Sequence, residues 1–111
     1  MIMPKKIPKN ISVKKKVKDV GGEKYILRLF VTGILPNSVR AIENTKSICE
    51  TYLKGRYELE VIDIYQQPSL ALTEELIAIP VLIKKFPLPE TRLIGDLSDT
   101  EKVLKGLNII D

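Results

Sequence analysis

The chain contains no histidine and no tryptophan, and a single cysteine among its 111 residues. Without histidine it lacks the commonest general base and the commonest transition-metal ligand. One cysteine and no histidine leave no zinc set. That cysteine has no partner for an internal disulfide, which fits a reducing, cytoplasmic setting. Apolar runs stop well short of the roughly 18–20 residues that cross a bilayer. The lysine-rich start has no apolar stretch and no small-residue cleavage site, so no secretory leader is expected there. Glycines at 21, 22, 33 and 55 do not match the spacing of phosphate-binding loops. Neither a cofactor nor a metal is therefore expected.

What remains has the balance of one globular domain, 44% hydrophobic and 29% charged. The formal net charge of +4 is uneven. Residues 1–23 carry seven lysines against Asp19 and Glu23, a net +5, and the other 88 residues sum to −1. Two prolines and the Gly21-Gly22 pair mark residues 1–23 as a basic arm expected to be mostly flexible, with the domain proper at 24–111. Ile11, Val13 and Val17 give the arm a weak strand pattern, suited to pairing with a neighbouring subunit. A nucleic-acid role is disfavoured, because no aromatic residue interleaves the lysines and only salt-sensitive, non-specific contact is available.

The stretch from Tyr25 to Ile48 organises the rest. Tyr25, Leu27, Leu29 and Val31 share one face of a strand; Ile26, Arg28 and Phe30 share the other. Apolar groups on both sides predict a central strand. Gly33 allows a tight turn, and Asn37 or Ser38 is placed to cap a helix running to Leu53. Ile42, Thr45, Ile48, Cys49, Tyr52 and Leu53 form its expected buried stripe, with Cys49 a packed core thiol. Tyr57 to Tyr65 reads as a second strand, completing a parallel βαβ unit. A short helix through Leu70, Leu72, Leu76 and Ile77 follows, capped by Ser69. Beyond Pro80 come a strand, a hairpin through 87–96, and a helix opened by the capping box Ser98-Asp99-Thr100-Glu101. The order is βαβαββα. KVLKGLNII at the end is ambivalent: Gly106 costs a helix about 1 kcal/mol, and Ile109 and Ile110 favour strands.

Glu58 with Glu60, and Glu74 with Glu75, are read as solvated charges without a catalytic role. The turn from Gly33 to Ser38 opens a helix, where the dipole favours anions. Ser38 opposite Pro80 could therefore mimic a glutathione-handling hydroxyl, which gives the alternative reading of a degenerate thioredoxin-like protein. In that turn a thioredoxin carries its cysteines, and here there are none.

YILRLFVTGILPNSVRAI, YELEVIDIYQQPSLA, IAIPVLIKKFPLP and RLIGDLSDTEKVLKGL closely resemble the KaiB family of circadian clock proteins, from about Lys24 to Ile110. The chain as given ends at Asp111 without the acidic tail of the cyanobacterial clock members, which points to a homologue from a wider bacterial group. The resemblance implies a non-enzymatic protein that regulates a KaiC-like ATPase in a clock, timer or stress-response system. It also implies two folds: a resting homotetramer (or dimer) of order βαββααβ, the form expected in a crystal, and a thioredoxin-like partner-binding monomer of order βαβαββα. Arg40 and Arg92 match basic positions of the family and are the expected partner contacts. Pro80, whose bond to Ile79 is expected to be cis, Gly106 and Asn108, which stands where clock members carry Asp, are the expected fold-switch positions. Gly106→Ala is expected to favour the thioredoxin-like form by removing the helix penalty.

Overall fold

The computed structural model of the protein describes residues 23–110. The basic arm, except for Glu23, lies outside them. The elements are β1 (Tyr25–Val31), α1 (Pro36–Tyr52), β2 (Tyr57–Asp63), α2 (Ser69–Thr73), β3 (Val81–Phe86), β4 (Thr91–Ile94) and α3 (Thr100–Gly106). This is the βαβαββα order of the residue reading and not the βαββααβ order expected of a resting form.

The four strands form one sheet in the order β2-β1-β3-β4. β1 runs parallel to β2, from Tyr25 beside Tyr57 to Val31 beside Asp63. It runs antiparallel to β3, with Leu29 beside Leu82 and Phe30 beside Val81, and β3 and β4 close an antiparallel hairpin. Apolar residues on both sides of β1 require cover on both sides. On one face Tyr25, Leu27, Leu29, Val31 and Leu82 pack with Ala41, Ile48, Cys49 and Leu53 from α1 and its end, and with Val103, Leu104 and Leu107. On the other, Phe30, Ile62, Val81 and Ile83 meet Ile64, Leu70 and Leu76.

Several local expectations are corrected. The N-cap of α1 is Leu35, which makes no side-chain cap bond, and Pro36 occupies the first turn, where its missing N–H costs nothing. Ser38 is buried and serves the loop instead, its Oγ accepting from the Thr32 N–H at 3.0 Å. Tyr52, assigned to the buried stripe, is 44% exposed, because a seventeen-residue helix rotates it past the sheet. α2 is only five residues long, so Leu72 and Ile77 face solvent while Leu70 and Leu76 reach the core. In α3 the cap is Asp99, whose carboxylate accepts from Lys102 N–H at 3.2 Å.

The ambivalent C-terminal segment resolves as a helix with a Schellman ending. Asn108 adopts a left-handed conformation at φ 62°. Its N–H donates to Lys105 carbonyl at 3.0 Å, and that of Ile109 to Leu104 carbonyl at 2.9 Å, the two bonds that close such an end. Tyr25 Oη donates to the Leu107 carbonyl at 2.9 Å, away from water. One of the carbonyls that a helix end leaves without a partner is thus satisfied by the first strand.

Candidate functional site

The register puts the ends of β1 and β2 and the starts of β3 and α1 at one end of the sheet. Gly33, at φ 56°, makes the turn there; its N–H donates to Asp63 Oδ1 at 3.1 Å. The same oxygen accepts from Tyr65 N–H at 2.9 Å, and the Tyr65 ring lies 3.3 Å from where a side chain on Gly33 would begin. Thr32, Leu35, Pro36, Asn37, Ser38, Ile79 and Pro80 line a shallow cleft. The Ile79–Pro80 bond is cis, as are those before Pro87 and Pro89. Around the cleft Ile34, Leu35, Tyr65 and Ile77 are all more than half exposed, an unusual number of large apolar groups at one end of a small domain.

This end carries no thiol, and its candidate hydroxyl is already engaged. Gly33-Ile34-Leu35-Pro36 offers no sulfur. Ser38, the candidate glutathione-handling hydroxyl, is fully buried, and its Oγ is already engaged by Thr32. Cys49 is buried in the core behind α1, where burial and then the neighbouring Glu50 carboxylate push its pKa up to about 12. A thiol held that high is not a nucleophile at neutral pH. Among the described residues no three His, Cys, Asp or Glu side chains converge as a metal site requires, and no helix is long and apolar enough to cross a membrane.

The two predicted partner contacts do not come together. Arg40 lies on the α1 side, where its Nε donates to Asp96 Oδ2 at 3.2 Å and its Nη2 to Asn37 Oδ1. Asp96 is the centre of that cluster: it also accepts from Ser98 N–H at 3.1 Å and offers its carbonyl to Asn44 at 2.8 Å. Bonds from Ser98 first, and then from Arg40, hold its carboxyl below the usual range. Arg92 lies on the opposite face of the sheet, beside Ile83. Its Nη2 donates to the Glu74 carbonyl at 2.7 Å and its Nη1 to the Glu75 carbonyl at 3.4 Å. These bonds brace a turn in which Glu75 takes a positive φ of 55°.

Glu74 corrects the expectation of a solvated charge. Its carboxylate accepts from Lys85 Nζ at 2.8 Å and Arg28 Nη1 at 3.3 Å, with only 11% of the side chain exposed. The bond from Lys85 is the main reason its pKa is lowered. Only the fold collects Arg28, Lys85, Glu90 and Arg92 around it, so no local pattern could have marked it. Glu75 beside it has no such role. Glu58 and Glu60 behave as expected, in exposed pairs with Lys24 at 2.7 Å and Arg28 at 3.4 Å. Lys84 was also missed: it is fully buried, its Nζ has no hydrogen-bond partner among the described residues, and burial lowers its pKa.

The KaiB domain model matches residues 28–109, almost the whole of this architecture. The chain belongs to the KaiB family. It is 51% identical over 86 residues to the circadian clock oscillator protein KaiB of Synechococcus elongatus, covering 78% of this chain and 84% of that one. The KaiB of Prochlorococcus marinus subsp. pastoris is 50% identical over 91 residues, covering 82% and 85%. Among solved structures the N-terminal domain of Synechococcus elongatus SasA is similar, with a TM-score of 0.63 and 24% identity over 92% of this chain and 95% of that one. Chloroplastic thioredoxin z gives a TM-score of 0.65 at 15% identity, covering 81% of each. These two structural likenesses establish the thioredoxin-like fold.

In this KaiB-family chain the fold-switch candidates have definite surroundings. Pro80 is buried in the wall of the cleft. Asn108 ends α3. A side chain on Gly106 would begin 2.5 Å from a Leu93 methyl. The expected gain from Gly106→Ala is therefore incomplete: the helix penalty is relieved, but Leu93 must move.

Proposed function

We propose that this chain is a non-enzymatic cytoplasmic binding protein that regulates a KaiC-like ATPase in a clock, timer or stress-response system. The observation that carries the reading is the KaiB match along residues 28–109. Two features of the molecule support it. Where a thioredoxin carries its thiols, this chain presents exposed Ile34, Leu35, Tyr65 and Ile77, a surface suited to protein contact and not to disulfide exchange. The βαβαββα order is the one that the family resemblance assigns to the partner-binding form.

Arg40 and Arg92 are proposed contacts of different kinds. Arg40 is free to exchange its exposed Asp96 pair for a partner carboxylate. Arg92 contributes chiefly by holding the turn at Glu74 and Glu75 in place. Exchange with a resting assembly, involving Pro80, Gly106 and Asn108, belongs to the same proposal. The test is co-elution of the full chain with a KaiC-like ATPase from the same organism, with light scattering on each partner alone and ATP hydrolysis measured on the complex. A complex that alters hydrolysis and is weakened by Arg40→Glu is expected. Failure to form any complex, with both proteins folded, overturns the reading.

A further inference from the structure

The two faces of the sheet are covered very differently. One carries the seventeen-residue α1 and, beside it, α3. The other, where Phe30, Ile62, Val81 and Ile83 lie, is covered by residues 64–79, whose one helix is the five-residue α2. Not one side chain of this strap is fully buried; Ile64, Leu70 and Leu76 reach the apolar face and stay partly exposed.

The backbone hydrogen bonds of the strap are largely its own. Ile64 N–H donates to the Val31 carbonyl at its start, and the Pro80 carbonyl accepts from Gly95 N–H just past its end. Between them every described backbone bond stays within the strap or returns to Asp63, as from Ala71 to Pro68 and from Leu76 to Ala71. Polar ties to the sheet gather instead on two residues. Lys85 on β3 and Arg28 on β1 reach the Glu74 carboxylate at 2.8 and 3.3 Å. Arg92 on β4 donates to the carbonyls of Glu74 and Glu75 at 2.7 and 3.4 Å. Three strands thus hold one short turn.

We propose that Glu74 is an ionic latch that keeps residues 64–79 closed over the sheet, and that removing its charge lets this strap lift while the four strands stay paired. Its surroundings suit a reversible latch. Each cation has a second carboxylate at hand: Arg28 lies 3.4 Å from Glu60, and Lys85 and Arg92 lie 3.5 and 3.7 Å from Glu90. Release therefore strands no buried charge, the usual cost of breaking an ion pair away from water. Little apolar burial opposes it, since Leu72 and Ile77 already face solvent, and segments with few buried contacts are the ones that open locally. Acid is one natural release. Arg28, Lys85 and Arg92 face Glu74, and the bond from Lys85 is the first cause of its lowered pKa. The latch is closed above the ordinary carboxylate value of 4.5 and is released as pH falls through the lower folded one. The strap carries Ile77, so, if the apolar end is the partner surface proposed above, the latch also sets how much of that surface is presented.

The test is amide-resolved hydrogen exchange by NMR on the full chain without a partner, so that it stands or falls apart from the proposed function. In the natural chain at pH 7 the amides of Ala71 and Leu76 are expected to exchange at least about tenfold faster than those of Leu29 and Phe30 in β1, after allowance for intrinsic rates. Glu74→Gln should speed Ala71 and Leu76 by about a further tenfold, with Lys85→Met acting in the same direction, while the β1 amides remain the slower set. The gap between the natural chain and Glu74→Gln should close as pH falls through the Glu74 titration. Strap and β1 amides that exchange at one shared rate overturn the proposal, because the strap then opens only with the whole fold. Strap rates that neither substitution changes overturn it too, as does a gap that persists in acid.

Discussion

Three side chains show how much a residue's chemistry depends on where the fold puts it. Cys49 is the only thiol, and its burial in the core holds its pKa near 12, against an ordinary 9.0. The folded chain thus keeps a proton that the unfolded chain gives up, so its contribution is fully present below pH 9 and is lost as pH rises from there toward 12. Cys49→Ala should cost on the order of 1 kcal/mol at pH 7, and urea unfolding at pH 7 and pH 11 should show this gap closing or reversing. A gap that stays constant with pH sinks the argument. Lys84 works in the opposite direction, since its lowered pKa makes stability rise toward pH 10.5, which is why the comparison is between variants. Glu74 reports on the acid side. Bonded to Lys85 and Arg28, it contributes above the ordinary carboxylate pKa of 4.5 and loses that contribution as pH falls through its lower folded value. Glu74→Gln should destabilise by about 1–2 kcal/mol at pH 7, and the difference should vanish as the pH drops through that range in denaturation curves.

At the scale of elements, α3 is the part whose own sequence does not settle it. Its helix needs a left-handed residue to stop, and Asn108 supplies it at φ 62°. Asparagine tolerates that conformation where alanine does not, so Asn108→Ala should lower the melting temperature, with a loss of about 1 kcal/mol. Gly106 is held between two demands: the helix would gain about 1 kcal/mol from alanine, and Leu93 on β4 stands 2.5 Å from the new methyl. In a double-mutant cycle, Gly106→Ala should stabilise more in a Leu93→Ala background than in the natural chain, by about 0.5–1 kcal/mol. Equal effects in both backgrounds would show that Leu93 yields freely.

For the whole molecule, the notable bond is the one that joins its two ends. Tyr25 and Leu107 are 82 residues apart, one opening the first βαβ unit and the other finishing α3. Burial is the main reason the pKa of Tyr25 is raised, opposed by Arg56, whose guanidinium lies 5.8 Å from the ring centre. Tyr25→Phe leaves a buried carbonyl unsatisfied and should cost about 1–3 kcal/mol. Hydrogen exchange should place the loss mainly in α3, whose only partner from the first strand at that end is this hydroxyl among the described bonds. Uniform loss over all elements would mean that the two halves are coupled mainly through the apolar core.

The sequence by itself determined the strand–turn–helix–strand frame, the burial of both faces of β1 and the place of Cys49, because those rest on periodicity and on turn residues that act locally. It also carried the family. It left open how KVLKGLNII would fold, since glycine and β-branched residues weigh against the capping box and nothing local breaks the tie. The tertiary structure broke it by burying Val103, Leu104 and Leu107 on the sheet and by bringing Tyr25 to the helix end. The short extent of α2, the use of Ser38 within the loop and the gathering of charges on Glu74 were likewise decided there. Each depends on which distant residue arrives as a neighbour, and that distance does not appear in the order of the chain.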